Sequence, residues 1–261
     1  MNAIILAGGY AKRLWPVTKN MPKQLLPVAG KPIIEYPIEN IELTKGIKEI
    51  IISINAYFEF NFREWFTKYQ FRKKTKLVIE KTYSEEEKLG SIGALNYLIN
   101  KLNIRGNLLV IGGDNLFDFS LRKFINYYRA MKTSVLALYD IQDKKKAKGR
   151  YGIAEINKDN KIIGFEEKPK NPKTTLANTA CCILSKEDIK LIPQYIEEGN
   201  NKDAFGYLLQ WLIKKRPIHG FVFDSPWFDI GSFDAYDKAN LYYREKRLSA
   251  IRERKVIINL E

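Results

Sequence analysis

The 261 residues carry 44 Lys plus Arg against 30 Asp plus Glu, a formal charge of +14, with 45% hydrophobic and 13% aromatic residues. Such proportions belong to a chain that can bury a full core, and they exclude an intrinsically disordered one. A disulfide scaffold is excluded too, because the only cysteines, Cys181 and Cys182, are adjacent; neighbours on a strand point to opposite faces, so both are expected as core filler.

The chain opens Met1-Asn-Ala-Ile-Ile-Leu-Ala-Gly-Gly, with no basic n-region and a short apolar run over 4–7, which reads as a buried strand rather than a signal peptide. No apolar run approaches the roughly 18 residues of a membrane span, so a cytoplasmic protein without membrane partners is expected. Helical patterns follow over 33–45, 58–70 and 91–103, and β-branched strands over 48–54 and 108–111, the latter running into Gly112-Gly113-Asp114. Ser120 reads as the N-cap of a helix over 121–131, and 134–139 returns as a strand. Continuous apolar strands alternating with helices predict a mostly parallel sheet covered on both faces.

Beyond about residue 140 the rhythm changes. Segments 153–156 and 161–166 flank a turn at Lys158-Asp159-Asn160 and read as a hairpin, followed by a Pro-rich loop at 169–173 and a strand at 177–184. Helices are expected over 186–197, 203–214 and 232–248. No internal repeat or low-complexity linker interrupts the chain, so 1–261 reads as one domain.

The +14 charge invites a nucleic-acid reading. However, Arg72-Lys73-Lys74 and Lys144-Lys145-Lys146 with Lys148 lie in no nucleic-acid-binding frame, and a lone His219 excludes a C2H2 finger. Both clusters are expected as solvated loops, and no nucleic-acid partner is predicted.

The chemistry sits at strand ends, where open α/β sheets bind ligands. Leu6-Ala7-Gly8-Gly9-Tyr10-Ala11-Lys12-Arg13-Leu14 offers close backbone approach at the glycines and a guanidinium fork at Arg13. It matches neither G-x-x-x-x-G-K-[ST] nor G-x-G-x-x-G, so a P-loop NTPase and a dinucleotide dehydrogenase are unsupported. Downstream come Pro16-Val17-Thr18, Met21-Pro22-Lys23-Gln24-Leu25-Leu26-Pro27-Val28 and Gly30-Lys31-Pro32-Ile33. Asp114 after its two glycines and Asp229 in Trp227-Phe228-Asp229-Ile230-Gly231 are isolated carboxylates in apolar, glycine-containing settings. Either alone is an ordinary cap or turn former.

Taken in order, these segments resemble the sugar-1-phosphate nucleotidylyltransferases, whose opening reads L-A-G-G-x-G-[TS]-R-L-x-P-x-T and then P-K-x-L-L-P-[VI]-x-x-K-P. Leu89-Gly90-Ser91-Ile92-Gly93-Ala94-Leu95 resembles the family's nucleoside-pocket segment L-G-T-A-G-A-L. Tyr151-Gly152, Glu167-Lys168-Pro169 and Asn178-Thr179-Ala180 resemble its Y-G, E-K-P and N-x-G elements. The chain departs at Ala11, Lys12 and Ala180, where the family has Gly, Thr or Ser, and Gly. Ala11 keeps its backbone donor but resists positive φ.

The resemblance implies a Rossmann-like, GT-A-type mixed sheet flanked by helices, with a sugar-binding subdomain in the second half. Residues 1–140 would bind nucleotide, 141–231 sugar phosphate, and 232–261 would form a helical end. It implies transfer of a nucleotidyl group from an NTP to a hexose 1-phosphate, releasing pyrophosphate by direct in-line attack with Mg²⁺. Leu6, Ala7, Gly8, Gly9, Arg13, Lys23, Gly90 and Asp114 would bind the nucleotide, and Gly152, Glu167, Lys168 and Asn178 the sugar phosphate. Asp114 and Asp229 would hold the metal, Lys23 the α-phosphate, Arg13 the β- and γ-phosphates, and Lys168 the incoming phosphate.

UTP or dTTP with glucose 1-phosphate is the expected pair, and GTP with mannose 1-phosphate the alternative. Thymidylyl-transferring relatives carry a Gln before the L-G segment, where this chain offers Glu80 and Glu85-Glu86-Glu87-Lys88. Competing readings are a catalytically silent subunit of the same fold and a glycosyltransferase, which would want a D-x-D that Asp114 and Asp118 do not provide. No hexapeptide period is present, so a short form without a β-helix is expected. The basic end, with Lys238, Arg244, Lys246, Arg247, Arg252 and Arg254, reads as a surface helix or a subunit contact. A homo-oligomer is implied by analogy.

Overall fold

A computed structural model describes residues 1–258, with side chains through Arg252. Nine strands form one mixed sheet: β1 (Asn2–Leu6), β2 (Glu49–Asn55), β3 (Lys74–Glu80), β4 (Leu108–Gly112), β5 (Ser134–Asp140), β6 (Gly152–Ile156), β7 (Ile162–Glu167), β8 (Leu176–Leu184) and β9 (Ile218–Phe223). The order β7-β6-β8-β4-β1-β2-β3 runs across it, with β5 paired to β8 and β9 to β5. The pairs β4–β1, β1–β2, β2–β3 and β5–β9 are parallel, and β8 runs antiparallel to its neighbours. β1 lies between two parallel strands reached by crossovers in opposite directions. Its carboxyl end is therefore the switch point where such sheets open a crevice.

The apolar runs explain why these strands lie inside. Along β1, β2 and β4 successive side chains alternate between two cores: Ile5, Ile50, Ile52 and Leu109 face one, and Ile4, Ile51 and Val110 the other. Helices Glu35–Glu42, Glu59–Lys68 and Leu121–Met131 cover the first face; Gly90–Lys101, Ile192–Glu197 and Phe205–Leu212 cover the second. Cys181 belongs to the first core and Cys182 to the second, both as free buried thiols. Ser120 caps Leu121–Met131 by accepting from the Lys123 N–H. The β6–β7 hairpin forms as expected, its turn closed by Asn157, which accepts from the Asp159 and Lys161 N–H groups.

Several elements differ from expectation. The 186–197 helix is two, Lys186–Ile189 and Ile192–Glu197, because Pro193 lacks an N–H and can sit only in the first turn of a new helix. Strand β3 was hidden by its polar start, where Lys74 and Lys76 both reach Glu49 at 3.3 and 3.0 Å. β9 was hidden by His219 and Gly220, which interrupt its apolar pattern. Lys144–Ala147 forms one helical turn rather than a loop, with Asp143 accepting from the Lys145 and Lys146 N–H groups. The last helix runs Phe233–Ile258, past the expected end at 248; the Arg254 side chain and residues 259–261 lie outside the described part. No described helix is long and apolar enough to cross a membrane.

One carboxylate ties that last helix to the segment before helix Leu121–Met131. Asp118 accepts from Tyr242 at 2.5 Å, Tyr243 at 3.2 Å and Lys246 at 2.6 Å. Asp118→Ala leaves the buried Tyr243 hydroxyl without this acceptor. Unfolding in urea should then show a loss of about 1–3 kcal/mol, and an unchanged midpoint would contradict the tie.

Candidate active site

The site grows from the carboxyl ends of β1 and β4. After Leu6 the chain turns through Gly8 and Gly9 into a 3-10 turn at Lys12–Leu14. Ala11 takes the left-handed conformation, φ 51°, that the resemblance assigns to glycine, and Ala180 does the same at φ 52° inside β8. The fold thus keeps the geometry and bears the strain of a Cβ in that region. Ala180→Gly should stabilise the protein by about 1 kcal/mol in chemical denaturation; a loss of stability would show that the β8 irregularity does not depend on this conformation.

Asp114 and Asp229 are brought together by a two-stranded ribbon, Asn115–Phe117 against Trp227–Asp229, in which Asp229 faces Asn115 and the Ile230 N–H donates to the Asp114 carbonyl at 3.0 Å. Asn115 connects the strands further: its amide donates to Asp114 Oδ1 at 2.8 Å and accepts from the Trp227 indole at 2.9 Å. A second 3-10 turn, Lys23–Leu25, presents Lys23, whose Nζ donates to Asp114 Oδ2 at 2.6 Å. Burial opposes ionisation of Asp114, but the Lys23 charge and hydrogen bond outweigh it and hold this carboxyl below its usual range. Burial, followed by the charge of Asp114, pushes the Asp229 carboxyl up to about 6. Two carboxylates that resist ionising together fit a hard cation held between them.

A cavity of about 850 Å³ opens above this ribbon. Of the residues expected from the sequence, Leu6, Gly8, Gly9, Arg13, Lys23, Gly90, Asp114, Gly152, Glu167, Lys168, Asn178 and Asp229 all line it. Ala7 does not: its side chain is buried in the core and its N–H donates to the Ser53 carbonyl at 2.8 Å. The Arg13 guanidinium lies over Gly231, where an added Cβ would come within 3.2 Å. Glu167 rests on the backbone of Gly206, where a Cβ would overlap its carboxylate, and burial raises its pKa against the opposing charge of Lys168. The Asn178 side-chain carbonyl is buried without a hydrogen-bond partner among the described residues, an acceptor left open at the cavity wall.

Sequence reasoning missed one wall and named Glu80 without placing it. Asp203–Gly206 reaches the cavity because the Asp203 and Lys202 carbonyls accept from the Ser91 and Ile92 N–H groups, closing the start of helix Gly90–Lys101. Nothing in the local sequence signals that long-range contact. Glu80, at the end of β3, is 4% exposed, accepts from Ser53 Oγ at 2.8 Å and places both oxygens beside Gly8. Burial raises its pKa, with the Ser53 hydrogen bond opposing.

An α/β sheet whose switch-point cavity joins a glycine turn, cations and paired carboxylates has the build of a phosphate-handling enzyme. Residues 2–246 match the sequence model of the Nucleotidyl transferase family, and the chain belongs to it. It is 28% identical over 246 residues to the bifunctional protein GlmU of Methanocaldococcus jannaschii, covering 94% of this chain and 55% of that protein. It is 28% identical over 237 residues to a mannose-1-phosphate guanylyltransferase of Mycobacterium tuberculosis, covering 89% and 61%. The chain thus spans little more than half the length of the curated relatives it matches. Among solved structures, it superposes on a protein from Bacillus anthracis, assigned as a glucose-1-phosphate thymidylyltransferase, with a TM-score of 0.80 and 26% identity over 94% of this chain and 95% of that one.

Proposed function

We propose that the chain transfers a nucleotidyl group from an NTP to a hexose 1-phosphate, giving an NDP-sugar and pyrophosphate. The observation that carries this reading is the convergence of Asp114 and Asp229 with Arg13, Lys23 and Lys168, from separate segments, on one cavity. The attacking phosphate oxygen is already anionic, so the reaction needs no protein nucleophile. Consistent with that, both cysteines are buried in the cores and His219, bound to Thr133 at 2.8 Å, does not line the cavity. Catalysis then consists of positioning and charge stabilisation.

In this reading residues 1–140 supply the nucleotide side: Lys23 holds the α-phosphate and Arg13 the β- and γ-phosphates. Residues 141–231 supply the sugar-phosphate side, where Lys168 holds the incoming phosphate and Glu167 and Asn178 meet sugar hydroxyls. Asp114 and Asp229 would hold Mg²⁺, which offsets charge on the α-phosphate and the departing pyrophosphate. Among the described residues no group of three or more metal-ligating side chains occurs; a pair completed by phosphate oxygens and water suits Mg²⁺.

For the nucleobase, Glu80 favours guanine over the pyrimidines expected from the resemblance. An ionised carboxylate only accepts hydrogen bonds. Guanine offers it two adjacent donors, N1–H and the 2-amino group, whereas uracil and thymine offer one donor between two carbonyls. The guanylyltransferase among the relatives pairs that base with mannose 1-phosphate. We therefore place GTP with mannose 1-phosphate first, and UTP or dTTP with glucose 1-phosphate second.

The test is pyrophosphate release across GTP, UTP, dTTP, CTP and ATP against three hexose 1-phosphates with Mg²⁺. A single strong combination supports the reading. Silence throughout would favour a non-catalytic subunit of the same fold.

A further inference from the structure

We propose that Lys12 is an additional cationic ligand for the terminal phosphates of the nucleotide, with Glu86 as its built-in counter-ion. The inference rests on the nucleotide site proposed above. Lys12 stands where the resemblance expects Thr or Ser, and opens the 3-10 turn that also carries Arg13. Both side chains line the cavity from this turn. They diverge there: Arg13 lies over Gly231, while Lys12 turns toward the loop 84–88, its Nζ 3.7 Å from Glu86 Oε1.

The loop around Glu86 is braced on both sides. The Tyr83 N–H donates to Glu87 Oε2 at 2.7 Å, and Lys88 bridges Glu85 at 2.8 Å and Asp203 at 3.0 Å on the opposite rim. These bonds fix the loop on either side of Glu86, whose solvent-exposed carboxylate lies near the Lys12 ammonium. The Lys12–Glu86 contact is itself weak. It exceeds hydrogen-bond length, and its side chains are 48% and 77% exposed, so water screens most of its attraction. A phosphate chain brings several anionic oxygens and charge-assisted hydrogen bonds to the same ammonium. Phosphate therefore displaces Glu86. A hydroxyl at position 12 could donate one hydrogen bond but contribute no charge. Lys12 thus adds to the cations that neutralise the leaving pyrophosphate, and Glu86 competes only weakly for the same ammonium.

The test is calorimetric titration of the full chain with inorganic tripolyphosphate, for the wild type, Lys12→Thr, Lys12→Arg, Glu86→Gln and Arg13→Ala, alongside NTP turnover. Loss of one charge-assisted contact should weaken tripolyphosphate binding about tenfold in Lys12→Thr. Lys12→Arg should restore it, and Glu86→Gln should tighten it. A purely structural role for Lys12 would lower the unfolding midpoint without this binding pattern, which would overturn the inference. Wild-type affinity in Lys12→Thr, with binding lost in Arg13→Ala, would also overturn it while leaving the nucleotidyl-transfer reading intact. Failure of the wild type both to bind tripolyphosphate and to turn over would overturn that reading, and the inference with it.

Discussion

Lys23→Ala is expected to lower kcat by about 10²–10³-fold, the usual cost of losing one positioned charge at a developing anion. The effect is large because the contact is buried and prearranged. Lys23 is 6% exposed on a short turn introduced by Pro22, and its ammonium already lies against Asp114. Removing it would take away the cation proposed for the α-phosphate and leave Asp114 facing Asp229 without the charge that keeps it ionised. Asp114→Ala should cost at least as much by removing one of the two carboxylates proposed to hold Mg²⁺. Steady-state kinetics at saturating Mg²⁺ decides the matter: near-normal turnover in Asp114→Ala would remove the metal assignment.

Glu80→Gln should reverse the base preference. A good bidentate pair to a base edge is worth about 1–3 kcal/mol of discrimination. The kcat/KM ratio of GTP to UTP should therefore fall by about ten- to a hundredfold. The amide keeps the carbonyl acceptor and adds a donor, which matches the mixed edge of a pyrimidine. Acid should act in the same direction. Burial raises the Glu80 carboxyl above the ordinary range, so the acceptor-only form dominates above that raised value and is lost as pH falls through it. KM for GTP should then rise toward low pH in the wild type and stay flat in Glu80→Gln. An unchanged base ratio in the variant would show that Glu80 does not read the base.

Much of this arrangement was legible in the residues themselves. Alternating apolar strands such as Ile50-Ile51-Ile52 required burial on both faces, and Cys181 and Cys182 did divide between the two cores. The cavity-lining residues were legible where chemistry and backbone need coincide in a short segment, as in Gly8-Gly9 with Arg13 or Glu167-Lys168. Ala7 lies off the cavity wall because motif position does not say which way a residue faces; its N–H extends the β1–β2 pairing. Asp203 was not visible in the sequence, and Glu80 was named there without a place in the site, for another reason. Their place at the cavity depends on contacts across the fold, Glu80 with Ser53 and Gly8, Asp203 with Ser91. The clamp at Asp118 lies equally beyond local pattern, since its partners are more than a hundred residues away.

The opening charge balance proved a poor guide to function, because the proposed chemistry uses only a few of the 44 basic residues. The central claim is the transfer itself, and α-³²P-labelled GTP tests it most directly when incubated with mannose 1-phosphate, Mg²⁺ and the protein. The label should move into a sugar nucleotide, with one unlabelled pyrophosphate released per transfer. Label recovered only as GTP or free GMP, in this pair and in the UTP and dTTP pairs with glucose 1-phosphate, would contradict the account.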